Sequence, residues 1–263
     1  KIISSWNAMM ITGYVDAYRG FNDETFLHAA LTNAKFLLKH AIANDGEMTR
    51  NFKNGKSTIH ALLDDYAFTI TAFINLYQAT FDESWLKQAN TLTAYALEHF
   101  FDPKTKMFFY THNKYADLIS RKMEIADNVI PSSNSQMAKN LFLLGHFFYN
   151  EDYIGKAKQM LINVEEDVEK NIYFYTNWGI LQALFSKPLY EVAITGNDCI
   201  SKLKEFDQHY LPQTIYLGSK EQSRLALLKN KLIAGQTTIY VCLDKTCKLP
   251  VTEVSKALMQ ISN

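Results

Sequence analysis

The chain has 263 residues, 48% hydrophobic and 13% aromatic, with 27 Lys+Arg balanced by 27 Asp+Glu. That balance leaves no broad electrostatic footprint for nucleic acid or an anionic lipid surface, and no run of about 18 apolar residues could span a membrane. Three cysteines, Cys199, Cys242 and Cys247, are too few for a disulfide framework and point to a reducing, cytoplasmic setting.

The first predicted element, Ser5 to Arg19, has helical apolar spacing behind an N-cap at Ser4 or Ser5. A second helix is predicted from about Asp23 to Ala43, ended by Asn44-Asp45-Gly46. Asn54-Gly55 favours a hairpin turn. A third helix begins at Asp64-Asp65, where acidic side chains meet the positive end of the helix dipole. The fourth starts near Glu83, and another hairpin-like run follows Asp102-Pro103. Pro131-Ser132-Ser133 opens a fifth helix over Ser135–Tyr149; a sixth covers Asp152–Lys170 and a seventh about Tyr175–Phe185. Beyond Pro188 the pattern changes to short strands at Glu191–Gly196, Gln213–Leu217 and Thr238–Cys242, with helices at Ile200–Tyr210 and Val251–Ile261. This divides the chain into a helical region, 1–187, and a small α/β appendage, 188–263.

One cassette recurs in the second member of each helix pair: Phe26-Leu27-x-x-Ala30, Trp85-Leu86-x-x-Ala89 and Tyr153-Ile154-x-x-Ala157. A period of roughly 60–70 residues marks repeated helical hairpins that bury their apolar faces against one another. The first members open on polar clusters instead: Ser5-Trp6-Asn7, Asp64-Asp65-Tyr66 and Ser133-Asn134-Ser135, with Thr176-Asn177-Trp178 opening the seventh helix. If the hairpins stack in a ring, these N-termini share one mouth, with His60, Arg121 and Asp127 brought close by the preceding loops. Such a mouth suits a small sugar. Trp6, Tyr66 and Trp178 would stack on its ring, while Asn7, Asp64, Arg121, Ser133, Asn134 and Asn177 would bind its hydroxyls.

Asp65 and Asp127, from different hairpins, are the general acid/base candidates, with His60 as an alternative base. Asp64 and Asp65 diverge by about 100° on a helix, so both cannot face the mouth. The competing reading is that these residues are ordinary helix caps. No metal-ligand motif, Gly-rich phosphate loop or Ser-His-Asp order is present, so no cofactor is expected. Cys242 and Cys247 offer too few ligands for zinc; they read as two thiols flanking a turn, with a disulfide across it as the alternative.

Five ordered motifs carry a resemblance: Ser5-Trp6-Asn7, Leu63-Asp64-Asp65-Tyr66-Ala67-Phe68, Thr80-Phe81-Asp82, Pro131-Ser132-Ser133-Asn134-Ser135 and Tyr240-Val241-Cys242 through Cys247-x-x-Pro250-Val251. Together they resemble the thioredoxin-domain-containing family of spermatogenesis-associated protein 20 and bacterial YyaL-type proteins. The resemblance implies the later part of an (α/α)6 toroid similar to N-acylglucosamine 2-epimerases and six-hairpin glycosidases, with a thioredoxin-like domain as an N-terminal partner. Ala8 and Ser133 stand where the family pattern has glycine, and Asp127-Asn128 replaces Asp-Gly. The expectation is a mainly α, partial toroid with an α/β appendage. It would bind, and epimerise or hydrolyse, a sugar; the alternative is a non-catalytic toroid for ligands or client proteins.

Overall fold

In the structure, a computed structural model describing residues 1–115 and 120–261, three hairpins use one turn. Helices α1 (Ser4–Phe21), α3 (Leu63–Thr80) and α5 (Ser133–Phe148) each end on a left-handed residue, Asn22, Phe81 or Tyr149. The next side chain, Asp23, Asp82 or Asn150, caps the returning helix by accepting from the backbone N–H two residues on, at 2.9, 3.0 and 3.1 Å. The returning helices are α2 (Glu24–His40), α4 (Glu83–His99) and α6 (Glu151–Ile162). Left-handed backbone disfavours Phe and Tyr by roughly 1–2 kcal/mol, which the cap at the next position offsets. Ala30, Ala89 and Ala157 of the cassette are completely buried. Their small side chains let each outer helix pack closely on its inner partner.

The inner helices lie side by side in the order α1, α3, α5 and α8 (Thr176–Ser186), each outer helix backing its own partner. This is an open, partial (α/α) toroid. The predicted sixth helix is interrupted: α6 stops at Ile162, and α7 (Glu165–Asn171) restarts after Asn163-Val164. Asn163 Nδ2 donates to the Thr105 carbonyl at 2.9 Å, while Glu165, Glu166 and Asp167 supply negative charge at the new helix start. Two small ribbons precede inner helices. In one, β1 (Ile2–Ile3) pairs with β2 (Asn51–Phe52); in the other, β3 (Phe101–Asp102) pairs with β4 (Met107–Phe108).

The C-terminal sheet comprises β5 (Tyr190–Thr195), β6 (Thr214–Ser219), β7 (Thr238–Leu243) and β8 (Thr246–Cys247), ordered β6-β5-β7-β8. Only β5 and β6 run parallel, joined through α9 (Cys199–Phe206). The closing helix α10 spans only Val254–Leu258, because Val251 is drawn into a bridge with Ile239. The sheet packs beneath the C-terminal ends of α1 and α3. There Gln78 Oε1 accepts from the Tyr216 N–H at 3.1 Å, and Arg19 pairs with Asp207 at 2.8 Å.

Gly218 touches α3 so closely that a Cβ there would lie 2.3 Å from the Phe81 ring. We expect Gly218→Ala to cost about 1–3 kcal/mol through overpacking. A urea melt of the variant measures the loss, and an unchanged midpoint would show that Phe81 can swing away.

Candidate functional site

Parallel inner helices place their N-termini on one rim, where two networks of buried polar groups form. The first joins α1 to α3. No side chain within α1 caps it, contrary to the expectation for Ser4 or Ser5. Instead, Asp65 reaches across from α3 and accepts from the Ser5 N–H at 2.9 Å. Its other oxygen accepts from the Leu62 N–H at 3.0 Å and from Arg50 at 2.9 Å. Arg50 also donates to Asp64 at 2.8 Å, so one guanidinium bridges both carboxylates. The Asp65 side chain is 0% exposed. Burial and the adjacent Asp64 charge push its carboxyl up to about 6, against the opposing pull of Arg50 and the two backbone donors.

The second network joins α5 to α8. Asp127 Oδ1 accepts from the Ser132 N–H and the Ser135 hydroxyl, both at 2.8 Å, and Oδ2 accepts from the Asn177 N–H at 2.9 Å. Asn177 donates to Ser135 Oγ at 2.9 Å and accepts from Lys139 at 2.9 Å. Asp65 and Asp127 therefore cap neighbouring helices in separate networks that share no hydrogen-bond partner. The expected acid/base couple is not assembled by these contacts.

Other expected ligand contacts are turned inward. The rings of Tyr66 and Trp178 are 1% and 0% exposed, so neither offers a stacking face. Tyr66 Oη accepts from the Met48 N–H, and Trp178 Nε1 donates to the Ile125 carbonyl, both at 2.8 Å. Asn134 closes the edge of β4: it accepts from the Phe108 N–H at 2.8 Å and donates to the Phe108 and Glu124 carbonyls at 2.9 Å. Arg121 clamps its own loop through the Thr111 carbonyl and stacks on Phe109. His60 is a surface residue, stacked on Tyr115 at 3.6 Å and paired with Glu47 at 3.3 Å, not a pocket base. These aromatic and amide positions satisfy the interior because inner helices are contacted on nearly every side.

Trp6, 67% exposed, remains open at the rim beside Asn7, which donates to the Ile3 carbonyl at 2.8 Å. Ser133 Oγ and Ser5 Oγ are buried there and have no hydrogen-bond partner among the described residues. Ser133 is the serine in place of a family-pattern glycine, and its backbone N–H donates to Glu124 at 3.1 Å. Sequence reading missed Arg50, Tyr110 and Glu124. Tyr110 is held above the ordinary phenol range by burial, with Asp64 and Glu124 adding to it. A lone Arg in an irregular loop carries no motif. The one available signal was the uncompensated pair of consecutive aspartates, which needs a nearby cation.

No protein-family model matches the chain. It is 24% identical over 274 residues to mouse and to human spermatogenesis-associated protein 20. The alignment spans 96% of this chain and 35% of theirs. The chain is a homologue of spermatogenesis-associated protein 20. An uncharacterised Caenorhabditis elegans protein is 29% identical over 97% of this chain and 37% of its own length.

Among solved structures, an alpha-mannanase of glycoside hydrolase family 76 from Bacteroides thetaiotaomicron superposes with a TM-score of 0.51 at 18% identity. That match covers 64% of this chain and 46% of the mannanase. A D-mannose isomerase gives 0.51 at 18% identity over 62% of this chain and 40% of its own, and the cellobiose 2-epimerase of Bacillus thermoamylovorans gives 0.50 at 16% over 60% and 43%. At these identities the likeness establishes the toroid fold, one used by sugar-processing enzymes. Among the described residues, no helix is long and apolar enough to cross a membrane, and no cluster of His, Cys, Asp or Glu is placed to hold a metal ion.

Proposed function

We propose that the α1–α3 rim binds a sugar-like ligand, as a carbohydrate-binding segment of a toroid. The observation that carries this reading is the Arg50 side chain, 24% exposed, bridging Asp64 and Asp65 at the same rim as the open indole of Trp6. An indole face covers the apolar side of a pyranose, and a fixed guanidinium with carboxylate acceptors addresses its hydroxyls. Asp65 acts here as a positioning residue, since both its oxygens hold donors. Asp64, Tyr110 and Glu124 make the direct contacts. The sugar-processing enzymes that share the fold support the class of ligand.

Titration calorimetry of the chain against mannose, cellobiose and α-1,6-mannotriose tests this. Binding that weakens at least about fivefold in Trp6→Ala, a loss of roughly 1 kcal/mol, is the expected result. No binding across the panel, or binding indifferent to Trp6, would sink the proposal.

A hydrolytic reading has one specific observation in its favour. An alpha-1,6-mannanase from Salegentibacter, with a TM-score of 0.51 and 13% identity over 62% of this chain and 47% of its own, was solved as an inactive variant with two consecutive aspartates changed to asparagine. This chain carries consecutive aspartates at an inner-helix start, and Asp64 is the one with less of its carboxylate committed. Reducing-end release from α-1,6-mannan that disappears in Asp64→Asn would favour hydrolysis over binding alone. In a longer protein the same rim would present its ligand to a thioredoxin-like partner domain.

A further inference from the structure

The cysteines at the far end of the molecule form a site that the sugar reading does not use. Cys242 and Cys247 are bonded to each other and sit directly opposite across the β7–β8 hairpin. They occupy a position without cross-strand hydrogen bonds, since the neighbouring Lys248 N–H donates to Val241 at 2.9 Å. Cys242 is fully buried, whereas Cys247 is half-buried on β8, the edge strand of the sheet. Against this bond lies an ammonium. Lys231 Nζ, from the segment between β6 and β7, is 2.8 Å from Cys247 Sγ and 3.7 Å from Cys242 Sγ. Its position is fixed: the Lys231 carbonyl accepts from Thr195 at 2.9 Å and from Tyr240 at 3.0 Å, and its Nζ lies over the Tyr240 ring.

We propose that Cys242–Cys247 is an exchangeable disulfide that oxidises a dithiol, with Lys231 stabilising each sulfur as it leaves. A thiolate of the dithiol attacks the more accessible Cys247 Sγ. The Cys242–Cys247 bond breaks, and its electron pair leaves on Cys242 Sγ beside Lys231. The second thiol of the substrate then attacks the substrate sulfur of the mixed disulfide and releases Cys247 as a thiolate at the same ammonium. The dithiol loses two electrons and becomes a disulfide; the two protein sulfurs gain them and take up the two protons the dithiol gives up. A nearby cation promotes both departures, because a stabilised thiolate is the better leaving group.

Burial disfavours the Lys231 ammonium, and the Glu191 charge supports it. Glu191, opposite Cys242 across β5–β7, is engaged by His146 at 3.3 Å and Tyr149 at 3.2 Å. In the hairpin turn, Lys245 pairs with Glu151 beside Asp244, and just past β8 Lys248 donates to the Gln260 carbonyl at 2.5 Å. The third cysteine, Cys199, is free and buried, which makes it an internal reporter of folding.

The test uses the oxidised chain at pH 7, reduced with dithiothreitol, quenched with iodoacetamide at intervals and read by mass spectrometry of the labelled peptides. We expect Lys231→Met to slow reduction about tenfold and Lys231→Arg to stay near the parent rate, with Cys199 unlabelled throughout. Equal rates in Lys231→Met, or free thiols at both positions before reduction, would overturn the proposal. If Lys231→Met exposes Cys199, the Cys242→Ser variant decides instead. Its Cys247 should show half-maximal alkylation below the ordinary thiol value of about 8.5, and a midpoint at or above that value refutes the role of Lys231.

Discussion

Asp127→Ala should lower the free energy of unfolding by about 3–5 kcal/mol, the range expected when a buried carboxylate leaves several donors stranded. The substitution orphans the Ser132 and Asn177 N–H groups at once, while the Ser135 hydroxyl keeps the Ser132 carbonyl at 2.9 Å. Those groups stand at the starts of two different inner helices: α8 loses an acceptor for its first turn, and α5 loses the anchor of its N-cap residue Ser132 while keeping the bond from the Ser135 N–H to Ser132 Oγ at 3.2 Å. Lys139, whose ammonium is disfavoured by burial and supported by Asp127, loses a countercharge as well. Asp127→Asn keeps one acceptor oxygen and should cost about half as much. Urea titration followed by the fluorescence of Trp178, buried on α8, measures both. A loss below about 1 kcal/mol in the alanine variant would mean that water replaces the carboxylate, and that the rim is wetter than its burial indicates.

Asp65 yields a pH dependence of opposite sign to the usual acidic residue. Its carboxyl is raised to about 6 in the folded protein from an ordinary 3.8, chiefly by burial. Between those values the folded state holds the proton that the unfolded chain has released, so stability falls as pH rises. The contribution is greatest below the unfolded value and lost above about 6; a shift of this size corresponds to roughly 3 kcal/mol. Comparing urea midpoints of the parent and Asp65→Asn from pH 4 to pH 7 isolates it. The parent should lose stability relative to the variant across that window. Parallel curves would show that Arg50 and the backbone donors fully compensate the buried charge.

These two carboxylates explain how the polar rim comes about. Each inner helix presents unsatisfied N–H groups at its start; α3 and α5 answer them with their own Asp65 and Ser132, whereas α1 and α8 take an acceptor from elsewhere in the chain. Asp65 serves α1, and Asp127 serves α8. Residues that look like a converging ligand shell in one dimension are largely used in holding adjacent helices in register. At the rim Trp6 stays open to solvent and part of Arg50 is exposed, and the sugar proposal rests on them.

Much of the architecture was legible because it depends on local periodicity. The aromatic-aliphatic-x-x-Ala cassette, the stop at Asn44-Asp45-Gly46 and the change of pattern after Pro188 all act within a few residues. The hairpin turns were equally readable in retrospect: Asn22-Asp23-Glu24, Phe81-Asp82-Glu83 and Tyr149-Asn150-Glu151 are one motif of left-handed residue, cap and acid. The break at Asn163 was not, since its partner, the Thr105 carbonyl, is 58 residues away.

By itself, then, the amino-acid order determined the helices, their pairing into hairpins and the polar character of each inner-helix start, since these follow from spacing along a few turns. Only the tertiary structure decided which polar groups are used up as caps, that Tyr66 and Trp178 turn into the core, that Arg50 bridges Asp64 and Asp65, and that Cys242 and Cys247 meet beneath Lys231. Those outcomes depend on direction and distance between elements far apart in the chain, which a linear pattern of residue types does not encode.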